Sequence, residues 1–308
     1  MITDDLYIDG VNAYTRYGVF VTDGGYKSLV CMPPLKEVES NDWWEEDGVE
    51  VDLSAPVLNT RDLTLSFACV DGDFEGFMAA LKQGAYHIIK SKEIGREYKL
   101  RYTQQASIKQ CNGLIVTSAK FNDDFPLRDY TYVAPSSSWG GSNDCSLDGI
   151  SLATYGVRVL AGTLDSIVQK PQVKSNLLRN IKTQSGVIYD GEKAKYKSQD
   201  IKINCLMRAT NLTELWRNWD ALLYNLTQPG ERELVIAGIK DSIPCYYRKC
   251  SVSEFLPTGR PWLEFTLQLT ATNNYYKELI EVFLASENGD YIITEDGYRL
   301  TIKTRDNG

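Results

Sequence analysis

A single histidine, His87, stands in a chain of 308 residues, and that scarcity excludes histidine relays and histidine-rich metal centres. Seven cysteines are present, at 31, 69, 111, 145, 205, 245 and 250, without one C-x-x-C pair, so zinc-ribbon and thioredoxin-type signatures are missing. Cys69 and Cys205 fall inside alternating apolar runs, and the set reads as reduced, structural thiols. No apolar run approaches the roughly 18 residues needed to cross a bilayer. The first residues, Met1 to Tyr7, lack the basic and apolar segments of a secretory leader, so no membrane insertion is expected. Neither G-x-x-x-x-G-K-[ST] nor G-x-G-x-x-G occurs, which leaves no phosphate-cradling loop. A net charge of −8 and a pI near 4.9 argue against direct gripping of nucleic-acid phosphates.

Other chemical motifs fail on inspection. Asp71-Gly-Asp73-Phe-Glu75-Gly76 opens like a calcium loop, but the bidentate glutamate due at the twelfth position is Lys82. Asn211-Leu-Thr213 and Asn225-Leu-Thr227 match a glycosylation acceptor but lie at or in an expected helix. Neighbouring carboxylates such as Asp123-Asp124 and Glu45-Glu46 point to opposite faces if extended. His87, in the run His-Ile-Ile, reads as a strand residue. No catalytic residue, metal or cofactor is expected.

What the chain does contain is an internal repeat. Slid by 138 positions, Gly18-Val19-x-Val21 meets Gly156-Val157-x-Val159, and the matches continue without a gap through Gly24/Gly162, Pro33/Pro171, Lys36/Lys174, Gly48-Val49/Gly186-Val187 and Asp62/Asp200. Asp9-Gly10-Val11 matches Asp148-Gly149-Ile150 one residue out of step. Asp62–Cys69 and Asp200–Met207 then alternate with one phase, as half-buried strands. Each is followed by a helical stripe, Phe74, Phe77, Met78 and Leu81 in one copy and Leu212, Leu215, Trp216 and Trp219 in the other. Asp73 and Asn211 stand ready to cap these helices. Beyond them His87-Ile88-Ile89 aligns with Leu234-Val235-Ile236, Tyr98–Ile108 with Ser242–Val252, and Trp262–Leu269 closes the second copy as a strand.

The expected fold is therefore mainly β: a tandem duplication of an antiparallel β-sandwich or split-barrel domain carrying one short helix. Residues 1–133 form the first copy, 134–145 a Pro/Ser/Gly-rich linker, 146–275 the second copy, and 276–308 an extension read as a hairpin about Glu295-Asp296-Gly297. Two loops of about twenty residues interrupt equivalent places. The first, Glu37–Pro56, is acidic and aromatic, with Trp43, Trp44, Glu45 and Glu46; the second, Ser175–Lys195, is basic with its flanks, through Lys174, Arg179, Lys182, Lys193, Lys195 and Lys197. Opposite charge suits a head-to-tail contact between copies, although two solvated loops satisfy the composition equally. Trp43-Trp44 fits a stacking platform for a sugar, a plug in a subunit interface, or a cap on its own sheet.

The order of these elements resembles the tail-tube fold of phage tails, whose relatives include distal tail proteins and baseplate hubs with two tube-like domains in one chain. Tyr7-Ile-Asp9-Gly10, Gly18-Val19, Asp62-Leu-Thr-Leu-Ser-Phe and the Phe74–Leu81 stripe carry the resemblance, and the second copy repeats them. It spans residues 5–125 and 146–272; the carbohydrate-binding-type domain of many distal tail proteins has no counterpart after the first copy. The resemblance implies a non-catalytic virion protein, assembled in the host cytoplasm into a homo-oligomeric ring of three or six chains. Such a ring would contact neighbouring tube, hub or baseplate proteins, and its acidic lumen would let DNA slide through. Tube subunit, distal tail protein and hub share the domain and stay undivided. A glycan- or receptor-binding module using the aromatic loop is the alternative.

Overall fold

Asp9-Gly10 and Asp148-Gly149 both hold two successive residues at positive φ (52° and 79°; 51° and 77°), the backbone of a tight two-residue hairpin turn. Each opens one half of the chain. In the computed structural model, which describes residues 5–22, 24–128, 130–139, 145–169, 171–174, 178–189, 195–237, 239, 241–273, 279–283 and 301–305, the halves are built alike.

The first half runs β1 (Leu6–Ile8), β2 (Val11–Asn12), α1 (Ala13–Tyr17), β3 (Val19–Val21), α2 (Lys27–Val30), β4 (Ser40–Asn41), β5 (Glu50–Val51), β6 (Arg61–Val70), α3 (Phe74–Lys82), β7 (His87–Ser91), β8 (Arg96–Cys111) and β9 (Leu114–Asp123). The second runs β10 (Cys145–Leu147), β11 (Ile150–Ser151), a 3-10 turn (Leu152–Tyr155), β12 (Val157–Val159), α4 (Thr163–Val168), β13 (Leu178–Arg179), β14 (Ile188–Tyr189), β15 (Asp200–Arg208), α5 (Leu212–Leu226), β16 (Arg232–Ile236), β17 (Ile243–Leu256) and β18 (Trp262–Ala271). The sheet orders are β2-β1-β7-β8-β9-β6-β3 and β11-β10-β16-β17-β18-β15-β12, the same topology twice, and every pairing is antiparallel. The long strands β8 and β17 pair first with the short strand before them and then with β9 or β18, so each sheet turns over on itself as a sandwich.

The repeat holds residue by residue through the first two thirds of each half. Val19 faces Cys69 as Val157 faces Met207, and the isolated bridge Leu35–Leu58 recurs as Val173–Tyr196. Leu63, Leu65 and Phe67 point inward from β6, as Ile201, Ile203 and Cys205 do from β15. Farther on, the registers correct the alignment made from sequence. Ile8 pairs with Ile89 and its counterpart Leu147 with Leu234, so Leu234 is the counterpart of Ile89 and not of His87. His87 instead corresponds to Arg232, and Tyr98 to Ile243. The first slip is of two residues, which the alternation of a strand does not reveal because its period is two; the second, Ser242 to Ile243, is of one.

Both helix caps are as expected: Asp73 accepts from the Gly76 amide and Asn211 from the Glu214 amide. The second helix is not short, running fifteen residues. The short helical segments α1, α2, the 3-10 turn and α4 leave no mark in the sequence pattern, because four to six residues carry too little periodicity. α1 and the 3-10 turn each end on a left-handed glycine, Gly18 or Gly156. Gly18 also lies so near Gly72 and the Val70 carbonyl that a side chain has no room.

The buried apolar residues of both halves form one continuous core. α5 bridges it: Trp216 and Trp219, on the second half's helix, donate their indole N–H groups to the carbonyls of Ile94 and Val30 in the first. The stretch expected to be a linker is bound down where it is described. Ser136 bonds Asn218 and Arg217, Ser138 gives its amide and hydroxyl to Glu214, and Trp139 lies under the guanidinium groups of Arg158 and Arg208. Near the C-terminus β19 (Leu279–Phe283) pairs with β20 (Thr301–Arg305); the expected turn at Glu295–Gly297 lies outside the described residues.

Candidate assembly surfaces

The two interrupting loops are arms. β4 and β5 form the first and β13 and β14 the second, at positions 138 apart, so the arms too are copies of one element. Their surroundings differ completely.

The first arm lies across the second half. The Gly48 amide donates to the Tyr196 carbonyl, the Val49 amide to the Thr272 carbonyl, and the Gly230 amide to the Leu53 carbonyl. The Tyr196 amide in turn donates to Asp47. Lys174 is the anchor: fully buried, its ammonium reaches the carbonyls of Trp43 (2.7 Å) and Gly48 (2.8 Å) and pairs with Asp42. A buried lysine is tolerable only with such a full set of acceptors. Gly48, at φ +76°, is pressed against the second half so closely that a Cβ would sit 2.1 Å from the Thr272 carbonyl oxygen.

Below the arm, the join continues. Leu35 N–H donates to the Arg248 carbonyl, and the Tyr247 hydroxyl to the Pro33 carbonyl at 3.0 Å. Burial pushes the Tyr247 hydroxyl far above its ordinary pKa, so it stays a neutral donor. Besides Lys174–Asp42, ion pairs Lys27–Glu254, at 2.7 Å, and Arg96–Asp220 cross the join. Burial raises the Asp220 carboxyl, and Arg96 offsets part of that rise.

The residues singled out from sequence fall as follows. Trp43 and Trp44 are about half exposed, at 51% and 49%, and the Trp43 indole donates to Glu50. Glu45 and Glu46 are exposed at the arm's tip. Arg179 and Lys182 are exposed on the second arm, Lys195 is half-buried at its base with its carbonyl accepting from the Lys174 amide, and Lys193 lies outside the described residues. Trp43 touches the other half through its carbonyl, which accepts from Lys174. Lys174, Gly48, Tyr247, Trp216 and Trp219 form the join; the sequence marks Lys174 as one of the basic residues about the second loop, Gly48 as a repeat match and the two tryptophans as a helix stripe, and gives none of them this role. The Lys36/Lys174 and Gly48/Gly186 matches in the repeat were the available signals, since both survive duplication without belonging to an apolar pattern.

Several acidic and basic groups elsewhere brace the fold. Arg61 is buried and holds Asp123 and the carbonyls of Leu29 and Cys31. Arg101 holds the adjacent Asp124, whose carboxyl it keeps below the usual range. Asp9 receives the Ile88 amide and the His87 ring, and Asp148 receives the Glu233 amide and Arg232 at the same two places. His87 is therefore a brace of the opening turn. Among the described residues no three histidine, cysteine or acidic side chains gather as a metal site, and Cys31, Cys69, Cys145, Cys205, Cys245 and Cys250 are free thiols. No described helix is long and apolar enough to cross a membrane.

No family model matches the chain, and no curated protein does. Among solved structures, one similarity is to the Dit protein of phage SPP1, described as a paradigm of the hub adsorption apparatus in phages infecting Gram-positive hosts. It covers 87% of this chain and 98% of that one at 11% identity, with a TM-score of 0.29.

Proposed function

We propose that this chain is a structural protein of a phage tail, assembled from head-to-tail copies into a ring of three or six chains that conducts DNA and adapts the tube to the tail tip. One observation carries the reading: the two equivalent halves meet through non-equivalent faces, the first half's arm lying on the second half's flank. A contact of that kind between like units never satisfies itself; it repeats until a ring closes or a filament grows. The element order shared with tail-tube domains, read from sequence, points to the tail as the place for such a ring. The net charge of −8 suits a lumen from which DNA must slide free. Distal tail protein or hub-like protein is the preferred role, in the virion, beside tube and baseplate neighbours and without catalysis.

Light scattering with negative-stain imaging of the same peak tests this. Rings with a central hole support the proposal, and a single chain at every concentration, with and without tail neighbours, overturns it. A second reading, glycan binding by the first arm, draws on the exposed faces of Trp43 and Trp44. Quenching of tryptophan fluorescence by cell-wall oligosaccharides, lost in Trp43→Ala/Trp44→Ala, would favour it.

A further inference from the structure

Each face of the internal join has a counterpart at one end of the chain, and the registers identify it residue by residue. On the first half's side the join uses Lys27, Val30, Pro33 and the first arm; 138 positions later stand Asp165, Val168, Pro171 and the second arm. On the second half's side it uses Lys174, Tyr247 and Glu254. Their counterparts are Lys36 by the same offset, Tyr102, which faces Phe121 as Tyr247 faces Leu269, and Lys109, which faces Val116 as Glu254 faces Glu264.

What the join buries, the chain ends expose. Val30 is 2% exposed and Val168 55%. Lys174 is buried and Lys36 exposed. Gly48 is jammed against Thr272, whereas a Cβ on Gly186 would meet nothing within 4 Å at nearly the same φ. The place on the first half that matches the first arm's seat (Leu58 for Tyr196, Phe125 for Asn273) is an open groove lined by the apolar Val57, Leu58, Ile88, Phe125, Pro126 and Leu127 together with Lys99 and Arg128. Val57, Phe125 and Leu127 are exposed there, and Val173 and Val187 are exposed along the second arm. The groove's own charges, Lys99 and Arg128, are basic; the acidic complement to the basic second arm is the adjoining surface around Lys36, with Glu37, Glu39 and Asp52.

The ion pairs add direction. Lys27–Glu254 in the join becomes Asp165 and Lys109 at the ends, the same pair with its signs exchanged. Arg96–Asp220 becomes Asp241 and Lys82, exchanged again.

We propose that a second copy of this chain docks on the outer face of the first half, repeating the internal join with reversed polarity. The second arm of one copy lies over the Leu58–Phe125 groove of the next. Lys36 there takes arm carbonyls as Lys174 does internally, the Tyr102 hydroxyl donates to the Pro171 carbonyl, and Asp165 pairs with Lys109. The reversed signs explain why ends recognise ends: an end face inserted into the internal join would set Asp165 against Glu254 and Lys109 against Lys27. This inference rests on the ring reading above and names the contact that builds the ring.

The test uses the full chain with Lys109→Glu, Asp165→Lys, the double exchange, and Val168→Asp, each checked for an unaltered melting curve. Each single exchange is expected to weaken self-association by about threefold per contact, compounded over the contacts of a ring, and the double exchange to restore it. Val168→Asp, at an exposed position, is expected to leave folded single chains. Cross-linking of wild-type rings should join Lys36 or Lys109 of one copy to Lys182 or to residues near Asp165 of the next. Rings that survive Val168→Asp together with Lys109→Glu overturn this contact and leave the ring reading standing. Wild-type chains that never assemble overturn both.

Discussion

At the scale of residues, duplication provides its own controls. Gly48 and Gly186 share a backbone conformation, but only Gly48 has a neighbour in the way. Gly48→Ala is expected to cost about 2–4 kcal/mol, strain plus displacement of the Thr272 strand end, and Gly186→Ala about 1 kcal/mol from strain alone. Chemical denaturation of the two variants measures the difference. Lys174 and Lys36 form a second pair. Removing the Lys174 ammonium leaves the carbonyls of Trp43 and Gly48 without their donor, so Lys174→Met should destabilise the chain by about 1–3 kcal/mol. Lys36→Met should stay within about 0.5 kcal/mol in the single chain, since its counterpart role needs another copy. Asp9 with His87 and Asp148 with Arg232 show the same bond made by different side chains, because the turn needs a donor at that point and not a particular residue.

At the scale of elements, α5 does most to make two halves into one body. Its far face fills the join with two tryptophans, so Trp219→Ala is expected to cost about 3–5 kcal/mol. Both halves should melt together in wild type, one calorimetric transition with matched enthalpies, and Trp219→Ala is the variant most able to split it. The helix start also ties the connecting segment through Glu214. Burial alone raises this carboxyl, but hydrogen bonds from Thr210 and Ser138 outweigh it and lower its pKa to about 2. A carboxyl depressed on folding stabilises above its unfolded pKa and loses that contribution as pH falls toward the folded one. Stability should therefore decline between about pH 4.5 and pH 2. Glu214→Gln should be less stable at neutral pH and show a flatter decline, which thermal melts across that range will reveal.

At the scale of the whole molecule, one arm lies against the other half of the chain, whereas residues 179–188 of its twin are mostly exposed. Replacing residues 178–189 by a short turn is expected to leave the melting temperature within a few degrees of wild type and to abolish assembly, as gel filtration would report. Shortening the first arm should lower stability instead, because its contacts are intramolecular. The contrast follows from position in the chain, since the two arms share their strand register.

The amino-acid sequence by itself determined that the protein is two copies of one mainly antiparallel β unit. Val19, Leu63 and Phe67 with their partners Val157, Ile201 and Cys205 state the strand phases, and Asp73 and Asn211 state where the helices begin. These features depend on neighbours two to four residues away, so local chemistry encodes them. Only the tertiary structure decided that Ile89 matches Leu234, that the connecting segment is bound down by Glu214, and that Lys174 lies beneath Trp43. A slip of two preserves the alternation of a strand, and a contact between residues 131 apart depends on how two faces dock. Periodicity carries neither, and so the join, with the surfaces it leaves at the chain ends, emerged only from the folded molecule.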